Sequence, residues 1–207
     1  MKTKLIKVMA DDAVAIEDAA EIIRSGGLVA FPTETVYGLG ADGFNEAACR
    51  RLYEIKGRPI DKPLSLMVAN REMIDDIAEV TPLAQRLIEE YLPGALTLIL
   101  PKKSVVPDFV TAGSQSVGIR MPDNQIALAL IKAADCPIAA PSANLSNEPP
   151  PTTAQEVLKS FEGRISLILD GGACRFGVSS TIVDLTGEEL RILREGTISP
   201  DSLKISY

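Results

Sequence analysis

Short apolar runs alternate along the chain with longer amphipathic segments, and this alternation predicts strands and helices in turn. The predicted strands are residues 4–8, 28–31, 64–68, 95–100, 117–121, 138–140, 165–169 and 181–185. The predicted helices run from a cap at Asp11 or Asp12 to Arg24, from Asn45 to about Ile55, and over 71–79, 82–91, 123–134 and 154–160. Interleaved elements of both kinds predict one α/β domain with a mixed sheet.

Turn and cap residues support these boundaries. Gly26-Gly27 is expected to end the first helix, because glycine accepts the left-handed conformation common after a helix. Thr81 is expected to cap the helix that Pro82 opens. Thr153 and Glu156 have the spacing of a capping box.

Composition narrows the class of protein. The chain has 207 residues, 46% of them apolar and 24% charged, which is ordinary for a globular protein. No apolar run approaches the roughly 20 residues needed to span a bilayer, and the first residues lack a signal-peptide core, so we expect a cytoplasmic protein without membrane contact. Cys49, Cys136 and Cys174 lie far apart, and with no histidine present they predict reduced thiols and no metal site.

A cluster of cations stands out against this background. Lys56, Arg58 and Lys62 fall within seven residues, beside Gly57 and Pro59, although the net charge of the chain is −7. Such a spot predicts a loop that holds an anion, while Lys56 alone could equally be a charge at a helix end. Since histidine is absent, chemistry here must depend on charge and positioning rather than on an imidazole.

Further polar residues lie at the ends of predicted strands. Arg120 closes an apolar strand and needs either an internal carboxylate or a ligand carboxylate or phosphate. Ser142 and Asn144 follow the strand 138–140, where α/β sheets often bind ligands, although an ordinary turn is the alternative. Ser180 precedes another strand, and Arg194 is a further candidate phosphate partner.

Two polar loops have competing interpretations. Residues 32–37 place two threonine hydroxyls, one carboxylate and one phenol directly after a strand, which indicates either a binding loop or a polar turn. Residues 38–43 match GxGxxG in form. We reject a dinucleotide site there, because six residues separate the strand at Phe31 from the first glycine.

These segments together resemble the YrdC-like family, the threonylcarbamoyl-AMP synthases that begin threonylcarbamoyl modification of tRNA. The resemblance runs from Leu28 to Arg194. It is carried by the ordered motifs PTETVYGLG, KGRP with KPL, GIRMP, PSAN, and SSTIVD followed by LREG. It implies a twisted mixed α/β sheet flanked by helices, with a large concave basic cavity. It also implies that ATP, L-threonine and bicarbonate or CO2 are substrates, that any Mg²⁺ is carried by the nucleotide, and that a threonylcarbamoyl-transferase complex consumes the product.

The resemblance also implies roles for individual residues. Lys56 and Arg58 become catalytic candidates. Threonine contacts are expected at Thr35, Met67, Arg120, Ala140 and Ser180. ATP contacts are expected at Arg58, Lys62, Ser116, Ser142, Asn144, Pro150 and Arg194.

The chain departs from longer family members at two points. Met67 stands where those members have a histidine, and residues 1–207 are expected to form a single domain without their additional C-terminal domain. The KxR and SxN signatures are both present, which favours the synthase interpretation. A double-stranded RNA-binding module of the same fold is the alternative, and the resemblance makes double-stranded RNA or tRNA a candidate partner. The overall pI near 4.8 argues against bulk nucleic-acid binding but leaves a local basic cleft open.

Overall fold

The computed structural model describes residues 2–203, and residues 1 and 204–207 of the predicted domain lie outside this range. Strands of the described range are β1 (Lys4–Lys7), β2 (Val29–Phe31), β3 (Gly38–Asp42), β4 (Ser65–Met67), β5 (Leu96–Pro101), β6 (Ser116–Arg120), β7 (Ile138–Ala139), β8 (Leu167–Asp170), β9 (Thr181–Asp184) and β10 (Arg191–Arg194). Its helices are α1 (Ala13–Arg24), α2 (Glu46–Lys56), α3 (Arg71–Ile77), α4 (Pro82–Tyr91), α5 (Asp108–Thr111), α6 (Gln125–Ala134) and α7 (Ala154–Phe161), with a 3-10 turn at Pro200–Leu203.

The strands form one sheet in the order β1-β8-β2-β3-β7-β4-β6-β5-β9-β10. Its central pairs include both directions: β4 is parallel to β6, whereas β5 is antiparallel to β6. The mixed sheet and the α/β class predicted from the sequence are therefore confirmed.

Apolar side chains cover both faces of the sheet. Val29 and Phe31 of β2 belong to a cluster with α1 and α6, whereas Ala30 belongs to a second cluster with α2, α4 and α7. Alternate residues of a strand point to opposite faces, so helices lie on both sides of the sheet. None of the helices in the described range is long and apolar enough to span a bilayer.

The predicted elements all have counterparts whose ends differ by at most two residues. Asp12, rather than Asp11, caps α1 by accepting from the Ala15 amide. The sequence pattern missed β3, β10, α5 and the 3-10 turn. It missed β3 because glycine at positions 38 and 40 lowers the strand propensity. These glycines are needed for packing: a Cβ at Gly40 would lie 2.7 Å from the Phe31 ring and 2.8 Å from Ile138.

Candidate active site

A cavity of about 320 Å³ opens on one face of the neighbouring strands β4, β6 and β5. Each strand contributes two residues that are two positions apart, as expected for side chains on one face of a sheet. These residues are Ser65 and Met67, Gly118 and Arg120, and Thr97 and Ile99. The remaining wall consists of loop residues together with residues of β3, β9 and β10, namely Val36, Tyr37, Gly38, Arg58, Pro63, Leu64, Ala140, Pro141, Ser142, Ser179, Ser180, Ile182, Leu193 and Arg194.

The wall of this cavity is cationic. Arg58, Arg120 and Arg194 line it, and no aspartate or glutamate is among the described lining residues. Arg194 is exposed as a residue, but partial desolvation of its guanidinium, and after it the charge of Arg120, lowers its pKa below the ordinary value. The guanidinium groups of Arg120 and Arg194 are thus close enough to repel each other, and the cavity is suited to anionic ligands.

Arg120 is fixed at the inner end of the cavity by the loop that follows β2. Its Nη2 donates to Thr35 Oγ1 at 2.7 Å and lies 2.9 Å from Glu34 Oε1. Of the two partners that the sequence left open for Arg120, the structure shows the internal carboxylate, Glu34. Thr35 is fully buried and is not among the lining residues, and its hydroxyl is linked to the cavity wall by the hydrogen bond from Arg120.

A second polar group lies next to Arg120, on the neighbouring strand β5 and at the start of β9. Thr97 Oγ1 and Ser180 Oγ are 2.8 Å apart in a buried contact, because β5 and β9 are parallel neighbours. Arg194, at the end of β10, donates from Nε and Nη2 to the Ser180 carbonyl oxygen at 3.1 and 2.8 Å. Residues of β5 and β10, and the residue directly before β9, therefore meet at one point.

The end of α2 determines where Arg58 lies. Gly57 adopts φ 59°, and the Arg58 amide donates back to the Tyr53 carbonyl at 2.9 Å, which turns the chain sharply away from the helix. Arg58 Nη2 donates to the Pro63 carbonyl at 2.8 Å, and its side chain lines the cavity.

Lys56 has a different environment from Arg58. The residue is 3% exposed and is not among the lining residues. Its Nζ donates to the carbonyl of Ser142 at 2.6 Å and also to that of Asn144. Desolvation, followed by repulsion from Arg58, lowers the pKa of Lys56 from 10.5 to about 8. Its ammonium group therefore supports the loop that presents Ser142.

Asn144 also shapes this loop. Its Nδ2 donates to the carbonyls of Leu145 and Glu148, each at 2.8 Å. With Pro150, it lines a separate cavity of about 320 Å³ between the loop and α7. Of the SxN signature, Ser142 lines the main cavity and Asn144 the neighbouring one.

The structure therefore brings some, but not all, of the candidate residues predicted from the sequence into one cavity. Seven line the main cavity: Arg58, Met67, Arg120, Ala140, Ser142, Ser180 and Arg194. Lys62 is exposed and Ser116, at the start of β6, contacts Ser114 Oγ at 2.9 Å; neither is among the described lining residues.

The donor set does not suit a metal bound directly by the protein. No group of three or more Cys, Asp or Glu side chains that could hold a metal occurs in the described residues. Magnesium prefers carboxylate and phosphate oxygens, and the described cavity wall has no carboxylate.

Sequence reasoning missed Thr97 and assigned no role to Glu34. Thr97 is a 3% exposed polar residue in the otherwise apolar strand β5. The reasoning that singled out Arg120 in an apolar strand applies equally to Thr97. Glu34 and Arg120 are 86 positions apart in the sequence, so no local sequence pattern could predict that they pair.

The relatives of this chain are consistent with such a site. A threonylcarbamoyl-AMP synthase of Pyrococcus abyssi is 48% identical over 190 residues, covering 91% of this chain and 56% of that protein. A protein of the same name from Bacillus subtilis is 44% identical, covering 99% of this chain and 61% of that one. The crystal structure of P. abyssi Sua5 complexed with L-threonine superposes with a TM-score of 0.94 at 46% identity, over 97% of this chain and 60% of that chain.

The chain thus spans somewhat more than half the length of these relatives. Residues 21–196 match the family described as "Telomere recombination", which is named after Sua5, YciO and YrdC. This match covers most of the chain and includes every residue that lines the main cavity. The chain belongs to the Sua5, YciO and YrdC family.

Proposed function

We propose that the protein forms L-threonylcarbamoyl-AMP and pyrophosphate from L-threonine, bicarbonate or CO2, and ATP. The observation that carries the proposal is the cavity lined by Arg58, Arg120 and Arg194 with no carboxylate among its described lining residues. The similarity to threonylcarbamoyl-AMP synthases supports the choice of substrates. The product would serve threonylcarbamoyladenosine formation in tRNA, through a transferase that consumes the adenylate.

The reaction joins two anions. The neutral amine of threonine adds to CO2 with loss of a proton, and the resulting carbamate oxygen attacks the α-phosphorus of ATP. The bond from this phosphorus to the β-phosphate bridging oxygen breaks, and pyrophosphate leaves. Carbamate and triphosphate repel each other, so the protein must supply fixed positive charge and alignment.

The roles follow from the positions of the side chains. Arg120 and Ser180 would bind the threonine carboxylate, since both offer donors at one end of the cavity. Arg58, Ser142 and Arg194 would contact the phosphates. Lys56 would act by holding the Ser142 loop, because both of its recorded bonds go to backbone carbonyls of that loop.

Incubation with ATP, bicarbonate and a panel of amino acids, followed by mass detection of the adenylate, tests the proposal. We expect product with threonine and none with valine or leucine. Absence of an adenylate with every amino acid would contradict the activity, and product with serine but not threonine would overturn the substrate assignment.

A matched pair of variants tests the cationic wall. We expect R58A to reduce threonine-dependent pyrophosphate release by about 100-fold or more, by analogy with loss of one donor to a developing anion. R50A is the control, since Arg50 is an exposed arginine of α2 that pairs with Glu46 at 2.7 Å. Equal rates in the two variants would exclude Arg58 from the reaction.

A further inference from the structure

Glu34 is a buried acidic residue, and its carboxylate contributes little to the stability of the fold. Its side chain is 2% exposed, and its closest cationic atom is Arg120 Nη2 at 2.9 Å. Neither carboxylate oxygen accepts a well-aligned hydrogen bond from a described residue. A buried polar group without such bonds costs about 1–3 kcal/mol, so stability alone does not explain a carboxylate at this position.

We propose that Glu34 is a positioning residue for amino-acid binding: it holds Nη2 of the Arg120 guanidinium so that Nη1 faces the cavity. This inference rests on the proposed function, in which Arg120 binds the threonine carboxylate.

The hydrogen bonds around Arg120 define which edge is held. Nη2 donates to Thr35 Oγ1 at 2.7 Å, and the same nitrogen lies 2.9 Å from Glu34 Oε1 in an ion pair. Neither Nε nor Nη1 has a hydrogen-bond partner among the described residues. Because Arg120 lines the cavity and Nε is buried, Nη1 is the nitrogen available to a ligand carboxylate.

The direction of the hydroxyl groups supports this arrangement. Thr33 Oγ1 donates its proton to the Val36 carbonyl at 2.6 Å, since a carbonyl can only accept. In the 2.9 Å contact between Thr33 and Thr35, the Thr35 hydroxyl must therefore be the donor. Thr35 Oγ1 is thereby left as an acceptor for Arg120, and the relay fixes the guanidinium without competing for the ligand.

A second segment keeps Glu34 in place. The backbone amides of Phe176 and Gly177 donate to the carbonyls of Glu34 and Thr35, both at 2.9 Å. The phenol of Tyr37 donates to the Gly172 carbonyl at 2.8 Å. The loop after β2 is therefore tied from outside by residues 172–177 and presents Glu34 to Arg120 as a fixed group.

Calorimetric titration of the full chain with L-threonine, without ATP, tests the proposal in E34Q. The amide keeps the size of the side chain but removes the charge that orients Arg120. We expect the Kd for threonine to rise at least about 10-fold, the effect of one weakened charged hydrogen bond. In steady-state assays the KM for threonine should rise similarly, while the KM for ATP stays within about twofold.

E46Q is the matched control, because Glu46 forms an exposed ion pair with Arg50 at 2.7 Å at the start of α2. It should leave the Kd unchanged. An E34Q variant that binds threonine as tightly as the wild type, or more tightly, would overturn the positioning role.

If E34Q does not fold, E34D is the variant to test. It keeps the negative charge but moves it away from Arg120, and an unchanged Kd for threonine would again overturn the proposal. Failure of the wild type to bind threonine would contradict the proposed function instead.

Discussion

Residues of the same charge have different roles in this site according to where their side chains end. Arg58 extends to the cavity wall, whereas Lys56, two positions earlier, ends on the carbonyls of Ser142 and Asn144. The ammonium is compact and forms hydrogen bonds with carbonyl oxygens, and the planar guanidinium is suited to phosphate. The KxR signature therefore combines one supporting cation with one that faces the cavity.

Replacing Lys56 by methionine should change the pH dependence of stability. The pKa of Lys56 is about 8 in the folded chain, against 10.5 ordinarily, because burial and Arg58 disfavour the charged form. Between these values the unfolded chain binds more protons, so the free energy of unfolding of the wild type, relative to K56M, increases with pH by about 1 kcal/mol per unit. Urea unfolding of both proteins at several pH values from 7 to 10 measures this difference, and a constant difference would contradict it.

Single residues were predictable from the sequence where their chemistry conflicts with their surroundings. Arg120 stands out because a charge in an apolar strand requires a partner. The identity of that partner, Glu34, depends on how the loop after β2 folds back onto β6. The supporting role of Lys56 likewise depends on residues 142–144, which come close only in the folded chain.

At the scale of secondary structure, the position of Arg58 depends on Gly57, the left-handed residue that ends α2. Gly57 has φ 59°, a conformation in which a Cβ is unfavourable, although a Cβ would meet no atom within 4 Å. We therefore expect G57A to lower the free energy of unfolding by about 1 kcal/mol through the backbone alone. It should also raise the KM for ATP, because Arg58 would be displaced from the cavity wall.

Gly187 provides the control for this substitution. It also has open space around a built Cβ, but its φ lies outside the left-handed region. G187A should change stability by less than about 0.5 kcal/mol and leave the KM for ATP unaltered. Equal stability of G57A and G187A, measured by urea unfolding, would show that the cap conformation does not constrain the end of α2.

Elements were predictable where local pattern and tertiary structure agree. The strands β5 and β6 are mostly apolar, and α4 begins with a threonine cap followed by proline. By contrast, β3 is a strand because β2 and β7 pair with it on both sides, and its glycines admit the Phe31 ring. β10 pairs only with β9 and all four of its residues are exposed, so no alternation marks it.

At the scale of the whole molecule, the net charge gives no indication that the chain has a cationic cavity. A chain with net charge −7 repels nucleotides on average, and yet the wall of its main cavity is lined by three arginines and no carboxylate among the described residues. Net charge is a sum over the surface, whereas binding depends on the local potential in a concave site. Composition could therefore exclude a generally basic protein but could not locate the basic cavity.

Salt should weaken nucleotide binding by screening this cavity. The Debye length falls from about 14 Å to about 6 Å between about 50 and 300 mM salt, so attraction between the arginines and a triphosphate becomes weaker. We expect the KM for ATP to rise several-fold over this range. The KM for threonine should change less than about twofold, since a zwitterion carries no net charge. R58Q should reduce the salt dependence for ATP, because one of the interacting charges is removed. A KM for ATP that does not respond to salt, or an R58Q variant with the wild-type response, would show that ATP binds by contacts other than the charges of the cavity.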